Sequence, residues 1–191
     1  MREDEFSQLF DQLMESRRAD MKTKFNRVLP SGELIFNRFD KAGCLHAGED
    51  SSVYDTSVIM GDVEIGKHVW VGPYTILEGI NARLHIGDFV SINAGVMIYT
   101  HDSTKYYLSG GTEKFCKGDV FIGNNVVIGT MSMISCGVTI GNHCVVGANS
   151  LVNSDIPDYS IAAGTPARII GKVVTSKNGK IEYEYFHTDK R

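Results

Sequence analysis

The chain has 191 residues, of which 42% are hydrophobic and 22% charged, and its net charge at pH 7 is −4. This composition is typical of a folded globular domain and argues against disorder. The excess of acidic side chains argues against a surface that binds nucleic acid or an anionic membrane. The sequence has no apolar stretch typical of a signal peptide or a membrane span, and its four cysteines form no CxxC pair. We therefore expect a cytoplasmic protein with free thiols and no bound metal.

The first predicted element is an amphipathic helix over residues 3–25. Acidic side chains near its start and basic side chains near its end suit the helix dipole. We expect residues 1–50 to form a helical cap or arm that packs against the domain that follows. The apolar face of this helix consists of Phe6, Leu9, Phe10, Leu13 and Met14, at helical spacing.

A six-residue repeat dominates the middle of the chain. Its period fits neither an amphipathic helix nor a single amphipathic strand, but it fits a chain that turns a corner every six residues with one aliphatic side chain inside. Three hexads close one coil, and about five coils stacked about 4.8 Å apart predict an all-β domain over residues 51–172. The register shifts by three residues after Leu77. The fifteen repeat positions are Val53, Ile59, Ile65, Val71, Leu77, Ile80, Ile86, Ile92, Ile98, Ile122, Ile128, Ile134, Ile140, Val146 and Val152.

One long insertion, residues 100–119, interrupts the repeat between Ile98 and Ile122. A long loop in a regular solenoid is usually functional, and His101 lies at its root, where the coil fixes the backbone. An imidazole with a pKa of about 6.5 suits general-base catalysis at neutral pH. His101 is therefore the leading candidate for a functional residue, and its catalytic role is taken up below with the family resemblance.

Two carboxylates are candidates to assist His101. Glu78 takes a repeat position at which glycine is common, and we expect it either to bind a substrate or to orient the imidazole. Asp102 has the same two candidate roles, and capping of the loop is its competing role. Tyr99 is a third candidate, for substrate binding, because aromatic rings pack against the faces of sugars and of bases alike.

Beyond the repeat, the chain is predicted to end in a β-hairpin within residues 173–191. Extended runs at residues 171–175 and 181–186 flank Asn178-Gly179. An Asn-Gly pair between two extended runs is typical of a tight hairpin turn.

Residues 86–88, 91–96 and 99–102 resemble the active-site strand of the galactoside, maltose and polysaccharide O-acetyltransferases, which are hexapeptide-repeat acyltransferases. The resemblance covers about residues 50 to 172 and implies a left-handed parallel β-helix. It also implies that His101 takes the proton from an acceptor hydroxyl or amine while that group attacks the thioester of acetyl-CoA. No covalent acyl-enzyme is implied.

Residues 162–170 resemble the closing loop of the same family and imply a site for coenzyme A. By this resemblance the pantetheine arm lies beside Thr130 and Ala148, and the Thr130 N–H is the oxyanion donor. Arg168 then binds the phosphates. Lys172 takes the place of a second basic residue that the family often has one position earlier.

The sequence leaves the acceptor open. Acetylation of a sugar hydroxyl in cell-surface polysaccharide or sugar metabolism is the favoured interpretation, and N-acetylation of a nucleotide-linked amino sugar is the alternative. An antibiotic acetyltransferase and a non-catalytic binding scaffold are less favoured. A γ-type carbonic anhydrase would share the fold and would need His85, His101 and His143 around Zn²⁺.

Apolar residues at outward repeat positions predict a homotrimer. A threefold axis parallel to the β-helix would bury them in a closed assembly. The family resemblance implies active sites shared between adjacent subunits, with His101 from one chain and part of the coenzyme A site from the next. The outward apolar residues are Val127, Met131, Met133 and Val145.

Overall fold

The computed structural model describes residues 2–176 and 178–186, so residue 177 and residues 187–191 of the predicted tail lie outside the described residues. Its helices are α1 (Glu3–Phe25), α2 (Ser31–Ile35), α3 (Arg38–Cys44) and α4 (Thr104–Leu108). Its strands are β1 (Ser52–Val53), β2 (Val58–Ile65), β3 (Trp70–Val71), β4 (Ile76–Ile86), β5 (Ser91–Ile92), β6 (Met97–Ile98), β7 (His101–Asp102), β8 (Cys116–Lys117), β9 (Val120–Ile122), β10 (Val127–Ile128), β11 (Met133–Ile134), β12 (Thr139–Ile140), β13 (Val145–Val146), β14 (Leu151–Val152), β15 (Ser160–Gly164), β16 (Ala167–Thr175) and β17 (Ile181–Tyr185).

The strands stack in parallel as the coils of a β-helix, which agrees with the predicted left-handed parallel β-helix. One face runs through β1, β3, β5, β10, β13 and β15. A second sheet covers the other two faces, because β4 continues around a corner and pairs with β6 near its start and with β9 near its end. The inward residue of each coil lies over that of the next, as in the pairs Ile92–Ile128 and Ile128–Val146.

The core is the column of repeat residues, and thirteen of the fifteen predicted positions are buried. Ile59 packs against this core while partly exposed. The prediction for Ile80 is wrong, because its side chain is 59% exposed. The repeat position that follows Leu77 is Ile86, and the buried residue nearest to the shift, Leu84, pairs with Val63. The three extra residues of the register shift lie between Gly79 and Leu84, where β4 bulges away from β2.

A ladder of side-chain oxygens stabilises one corner of the β-helix. The backbone N–H groups of Lys67 and Asp88 donate to the side chains of Asp88 and Asn124, both at 2.7 Å. In the next coils the Asn124 N–H donates to the side-chain oxygen of Asn142 at 2.9 Å, and the Asn142 N–H donates to the carboxylate of Asp158 at 2.7 Å. Each coil therefore satisfies a corner N–H of the coil below it.

The N-terminal helices lie at the first coil. Ala42 of α3 belongs to the core cluster, and the Lys41 ammonium donates to the carbonyls of Tyr54, Asp55 and Ser57 at 2.7–3.2 Å. The predicted helix α1 is present, but of its residues only Met14 is buried. Most of its apolar face is exposed in the single chain.

The predicted hairpin at the other end is formed by β16 and β17, which pair antiparallel. Strand β16 begins earlier than expected because it also pairs with β15, the last strand of the first face. The hairpin thus extends that face. No helix among the described residues is long and apolar enough to cross a membrane.

Candidate active site

The insertion begins and ends in a short antiparallel pair. Strand β7 pairs with β8, so that His101 lies opposite Lys117 and Asp102 opposite Cys116. Between the two strands the chain forms the short helix α4. The pairing fixes the backbone of His101 at the root of the insertion, where the sequence places it.

A buried carboxylate holds the imidazole of His101. Its Nδ1 lies 3.0 Å from Oε2 of Glu78, which is 1% exposed. The same oxygen accepts the backbone N–H of Thr100 at 2.9 Å and its hydroxyl at 3.1 Å, and Oε1 accepts the backbone N–H of Ile80 at 2.6 Å. Glu78 lies beside Thr100 because the neighbouring residues Leu77 and Ile98 pair across adjacent coils.

The pKa of the Glu78 carboxyl is lowered. Burial alone raises it, but the hydrogen bonds from Thr100, His101 and Ile80 outweigh burial and favour the charged form. An ionised carboxylate only accepts hydrogen bonds, so Nδ1 of His101 is the protonated nitrogen. In the neutral imidazole, Nε2 then carries the lone pair that a general base requires.

His101 faces an open cavity of about 300 Å³ beside the insertion. The side chain is 24% exposed, so a reacting group can reach it from solvent. The Phe115 ring lies nearly parallel to the imidazole, with 5.8 Å between centroids and 15° between planes, and Tyr106 packs edge-on against Phe115. The cavity is lined by Tyr99, His101, Asp102, Ser103, Met133, Ile134, Ser135 and Cys136.

Asp102 lies at the rim of this cavity, but its carboxylate binds the backbone of the insertion. Its Oδ1 accepts the backbone N–H of Thr104 at 2.7 Å, at the start of α4. Hydrogen bonds from the Thr104 side chain and backbone hold the pKa of Asp102 below its usual value. Of the two candidate carboxylates, Glu78 is the one that binds the imidazole, and its oxygens are occupied by protein donors.

The four residues expected to bind coenzyme A lie elsewhere on the same chain. Strands β6 and β11 are parallel neighbours. His101 lies beyond the C-terminal end of β6, whereas Thr130 lies before the N-terminal end of β11. The two residues therefore lie at opposite edges of one face. A single chain does not bring them together.

All four of these residues are exposed. Ala148 precedes β14 as Thr130 precedes β11, and these two strands pair, so the two residues share one corner. The Thr130 N–H donates to no acceptor among the described residues. Arg168 and Lys172 lie on β16, and the Arg168 guanidinium donates to the carbonyl of Ala167 at 2.8 Å.

The histidines required for the carbonic anhydrase alternative have separate partners. Nδ1 of His85 is 3.1 Å from a carboxylate oxygen of Glu64, and His143 stacks on Tyr159. Within one chain, and among the described residues, no group of three His, Cys, Asp or Glu side chains is placed to hold a metal ion.

Sequence reasoning missed Phe115 and Cys136. The insertion has no repeat, so the sequence does not predict where Phe115 lies. Its only signal was an aromatic side chain in the same loop as the predicted base. Cys136 occupies a corner of the second repeat run, and its place beside His101 follows only from the 36-residue step between Ile98 and Ile134.

Known proteins resemble the chain in sequence and in fold. A family model described as "Bacterial transferase hexapeptide (six repeats)" matches residues 119–154. Protein CapG of Staphylococcus aureus is 48% identical over 94 residues, which are 47% of this chain and 53% of that protein. The chain spans little more than half the length of the curated relatives that it matches, 53% and 56% for the first two.

Two solved structures carry the resemblance over most of the chain. A hexapeptide-repeat-containing acetyltransferase from Vibrio cholerae superposes with a TM-score of 0.65 at 26% identity, covering 85% of this chain and 91% of that one. A galactoside acetyltransferase in complex with coenzyme A gives a TM-score of 0.61 at 27% identity, covering 83% and 82%. The chain thus resembles the hexapeptide-repeat acetyltransferases, as its sequence predicted.

Proposed function

We propose that the chain is an acetyl-CoA-dependent acetyltransferase that acts on a sugar hydroxyl, with His101 as the general base. The observation that carries this proposal is the buried Glu78 carboxylate at Nδ1 of His101, which makes Nε2 the lone-pair nitrogen of the neutral imidazole, beside an open cavity that His101 lines. The similarity to acetyltransferases, one of them in complex with coenzyme A, supports the choice of donor.

The proposed reaction is a direct attack. Nε2 of His101 takes the proton of the acceptor hydroxyl as the hydroxyl oxygen bonds to the thioester carbonyl carbon. The Thr130 N–H of a neighbouring subunit donates to the oxyanion that forms. When the C–S bond breaks, the imidazolium returns the proton to the sulfur, and the ester and free coenzyme A leave. Glu78 stabilises the transient positive charge on the imidazolium.

The aromatic residues around the cavity support a sugar acceptor. Tyr99 lines the cavity, and Phe115 and Tyr106 form a cluster over the imidazole. Flat rings pack against the apolar faces of sugars. Asp102 is exposed at the rim, where a carboxylate can accept hydrogen bonds from acceptor hydroxyls. We assign the reaction to cell-surface polysaccharide or sugar metabolism because residues 99–102 resemble the polysaccharide O-acetyltransferases.

A homotrimer with shared sites is part of this proposal. His101 lies at one edge of a face and Thr130 and Ala148 lie at the other, and a threefold axis would bring one edge of each chain against the other edge of the next. Outward apolar residues support such an interface, since Val127, Met131 and Met133 are 41%, 59% and 40% exposed in the single chain. Arg168 and Lys172 would then contact the coenzyme A phosphates.

A cytoplasmic location fits this chemistry. Acetyl-CoA is the expected donor, and all four cysteines are free thiols, as in a reducing compartment.

An acceptor screen tests the proposed function. The protein is incubated with acetyl-CoA and a panel of neutral sugars, amino sugars and nucleotide-linked amino sugars, and the release of free coenzyme A is followed. We expect His101-dependent release with a hydroxyl acceptor. If coenzyme A is released only with amino sugars, the reaction is N-acetylation and the proposed O-acetylation is wrong. Release that His101→Ala leaves unchanged would contradict the assigned base.

A further inference from the structure

Two cysteines from separate segments flank one close backbone contact at the root of the insertion. Cys116 is in β8, and Cys136 follows β11. The adjacent glycines bring their backbones together, because the Gly137 N–H donates to the Gly118 carbonyl at 3.2 Å. A Cβ atom on Gly118 would lie only 2.7 Å from the Gly137 Cα. Cys116 stands two residues before Gly118 and Cys136 directly before Gly137, so the two cysteines flank this backbone contact.

The thiol pair borders the cavity of His101. Cys136 lines the cavity together with His101 and Asp102. Cys116 lies opposite Asp102 in the β7–β8 pair. A bond between the two sulfurs would therefore join the end of the insertion to the β-helix beside the imidazole. Both cysteines are free, and Cys116 is exposed.

We propose that Cys116 and Cys136 form a reversible dithiol–disulfide site, oxidised by low-molecular-weight disulfides such as oxidised glutathione, that ties the insertion to the β-helix. The site is separate from the proposed acetyl transfer, and its chemistry does not depend on that activity.

The oxidation occurs in two exchange steps. The Cys116 thiolate attacks one sulfur of the small disulfide, which gives a mixed disulfide and releases one small thiol. The Cys136 thiolate then attacks the Cys116 sulfur, which forms the internal disulfide and releases the second small thiol. Two cysteine thiols lose their protons and are oxidised, and one small disulfide is reduced to two thiols.

The environments of the two thiols assign the order of these steps. Cys116 is exposed and accessible to a dissolved disulfide. Burial raises the pKa of Cys136, and the nearby Cys116 and Asp102 raise it further. Cys136 is thus the less reactive thiol toward a small disulfide, and its proximity to Cys116 suits it to the second, internal step.

The bond would restrain the insertion from its second end. The β7–β8 pairing already joins the two ends of the insertion, and the covalent link would tie its second end, β8, to the corner that follows β11. We expect slower amide hydrogen exchange in α4 in the oxidised protein, because local opening of the insertion must then occur against a closed ring.

The test uses the full chain treated with oxidised glutathione and analysed without reductant. We expect the loss of two of the four thiols, a mass decrease of two hydrogens, and reversal by dithiothreitol. Trypsin releases Cys116 in a short peptide, residues 115–117, whereas Cys136 and Cys144 share one long peptide. Fragmentation of the linked peptide by tandem mass spectrometry identifies which of these two is bonded.

Three variants serve as controls. Cys44→Ser removes an exposed thiol far along the chain and should oxidise like the native protein. Cys136→Ser should stop at a glutathione adduct on Cys116, and Cys116→Ser should form no internal disulfide. Glutathione adducts on both Cys116 and Cys136 without a link, or a link to Cys44 or Cys144, would overturn the site. An internal disulfide with unchanged exchange in α4 would overturn the restraint.

Discussion

Replacing Glu78 by glutamine tests the most specific electrostatic feature of the site. The carboxylate accepts four hydrogen bonds, one at Oε1 and three at Oε2. Glutamine has nearly the same shape but carries one oxygen and one NH₂ group. If its oxygen serves Thr100 and His101, its NH₂ group points at the Ile80 N–H, and a donor faces a donor 2.6 Å away in the native geometry.

The cost of Glu78→Gln follows from these contacts. One backbone N–H loses its acceptor, which costs about 1–3 kcal/mol. The three remaining bonds become neutral, and bonds to a charged group are about twice as strong as neutral ones. We expect the free energy of unfolding to fall by about 2–4 kcal/mol at neutral pH. Turnover should fall by roughly 10²-fold or more, because Nδ1 of His101 loses its charged acceptor.

The loss should depend on pH in a defined direction. The pKa of Glu78 is lowered in the folded protein, so its ionised form stabilises the fold fully above the unfolded pKa of about 4.3. This contribution is lost as the pH falls through the folded pKa. The stability difference between the native protein and Glu78→Gln should therefore be largest at neutral pH and shrink in acid.

Urea denaturation at neutral and acidic pH measures the stability, and coenzyme A release measures turnover. Glu64→Gln is the matched control, because Glu64 contacts His85 at 3.1 Å but is 58% exposed. This control should change stability by less than about 0.5 kcal/mol. Equal effects of the two substitutions, or native turnover in Glu78→Gln, would refute the assigned role of the buried carboxylate.

Three further substitutions test the base, the core and the proposed coenzyme A contacts. His101→Ala should lower turnover by roughly 10² to 10⁴ with an unchanged circular dichroism spectrum, and near-native coenzyme A release would contradict the assignment. Ile128→Ala should cost about 2–5 kcal/mol in urea denaturation, whereas Ile80→Ala at an exposed position should cost below about 0.5 kcal/mol; similar costs would contradict the inward register. Arg168→Ala should raise the KM for acetyl-CoA about tenfold or more and change kcat less, with Lys180→Ala as the control, and equal effects on the KM of both substrates would indicate a structural role.

The β-helix was predictable because aliphatic residues recur every six positions along the sequence. The one wrong position illustrates the limit of such a pattern. Ile80 and Leu84 are both aliphatic near the register shift, and Ile80 stands six residues before Ile86. Which of them points inward depends on where the three extra residues bulge, and that is decided by the pairing of β4 with β2 rather than by spacing.

The site was predictable in part. His101 could be found from its place at the root of the insertion, and Glu78 was a candidate because a carboxylate is unusual at its repeat position. Their contact follows from the pairing of Leu77 with Ile98. These two residues are 21 positions apart, which is one coil of three hexads plus the three residues of the register shift. The conformation of the insertion could not be predicted, since Phe115 and Cys116 follow no period and their places depend on the β7–β8 pair.

Recovery of activity in mixed oligomers tests the central claim most directly, namely that one chain supplies the base and its neighbour supplies the coenzyme A contacts. His101→Ala and Arg168→Ala chains with different affinity tags are co-expressed, and the doubly tagged oligomers are assayed well below the native KM for acetyl-CoA, where Arg168→Ala alone should keep about a tenth of the native rate or less and His101→Ala far less. Every doubly tagged trimer holds both kinds of chain, and one of its three shared sites then has both residues intact, which is about a third of the sites. We predict coenzyme A release at about that fraction of the native rate. Mixed oligomers as inactive as either parent, or a fully active native monomer in light scattering, would contradict the shared site.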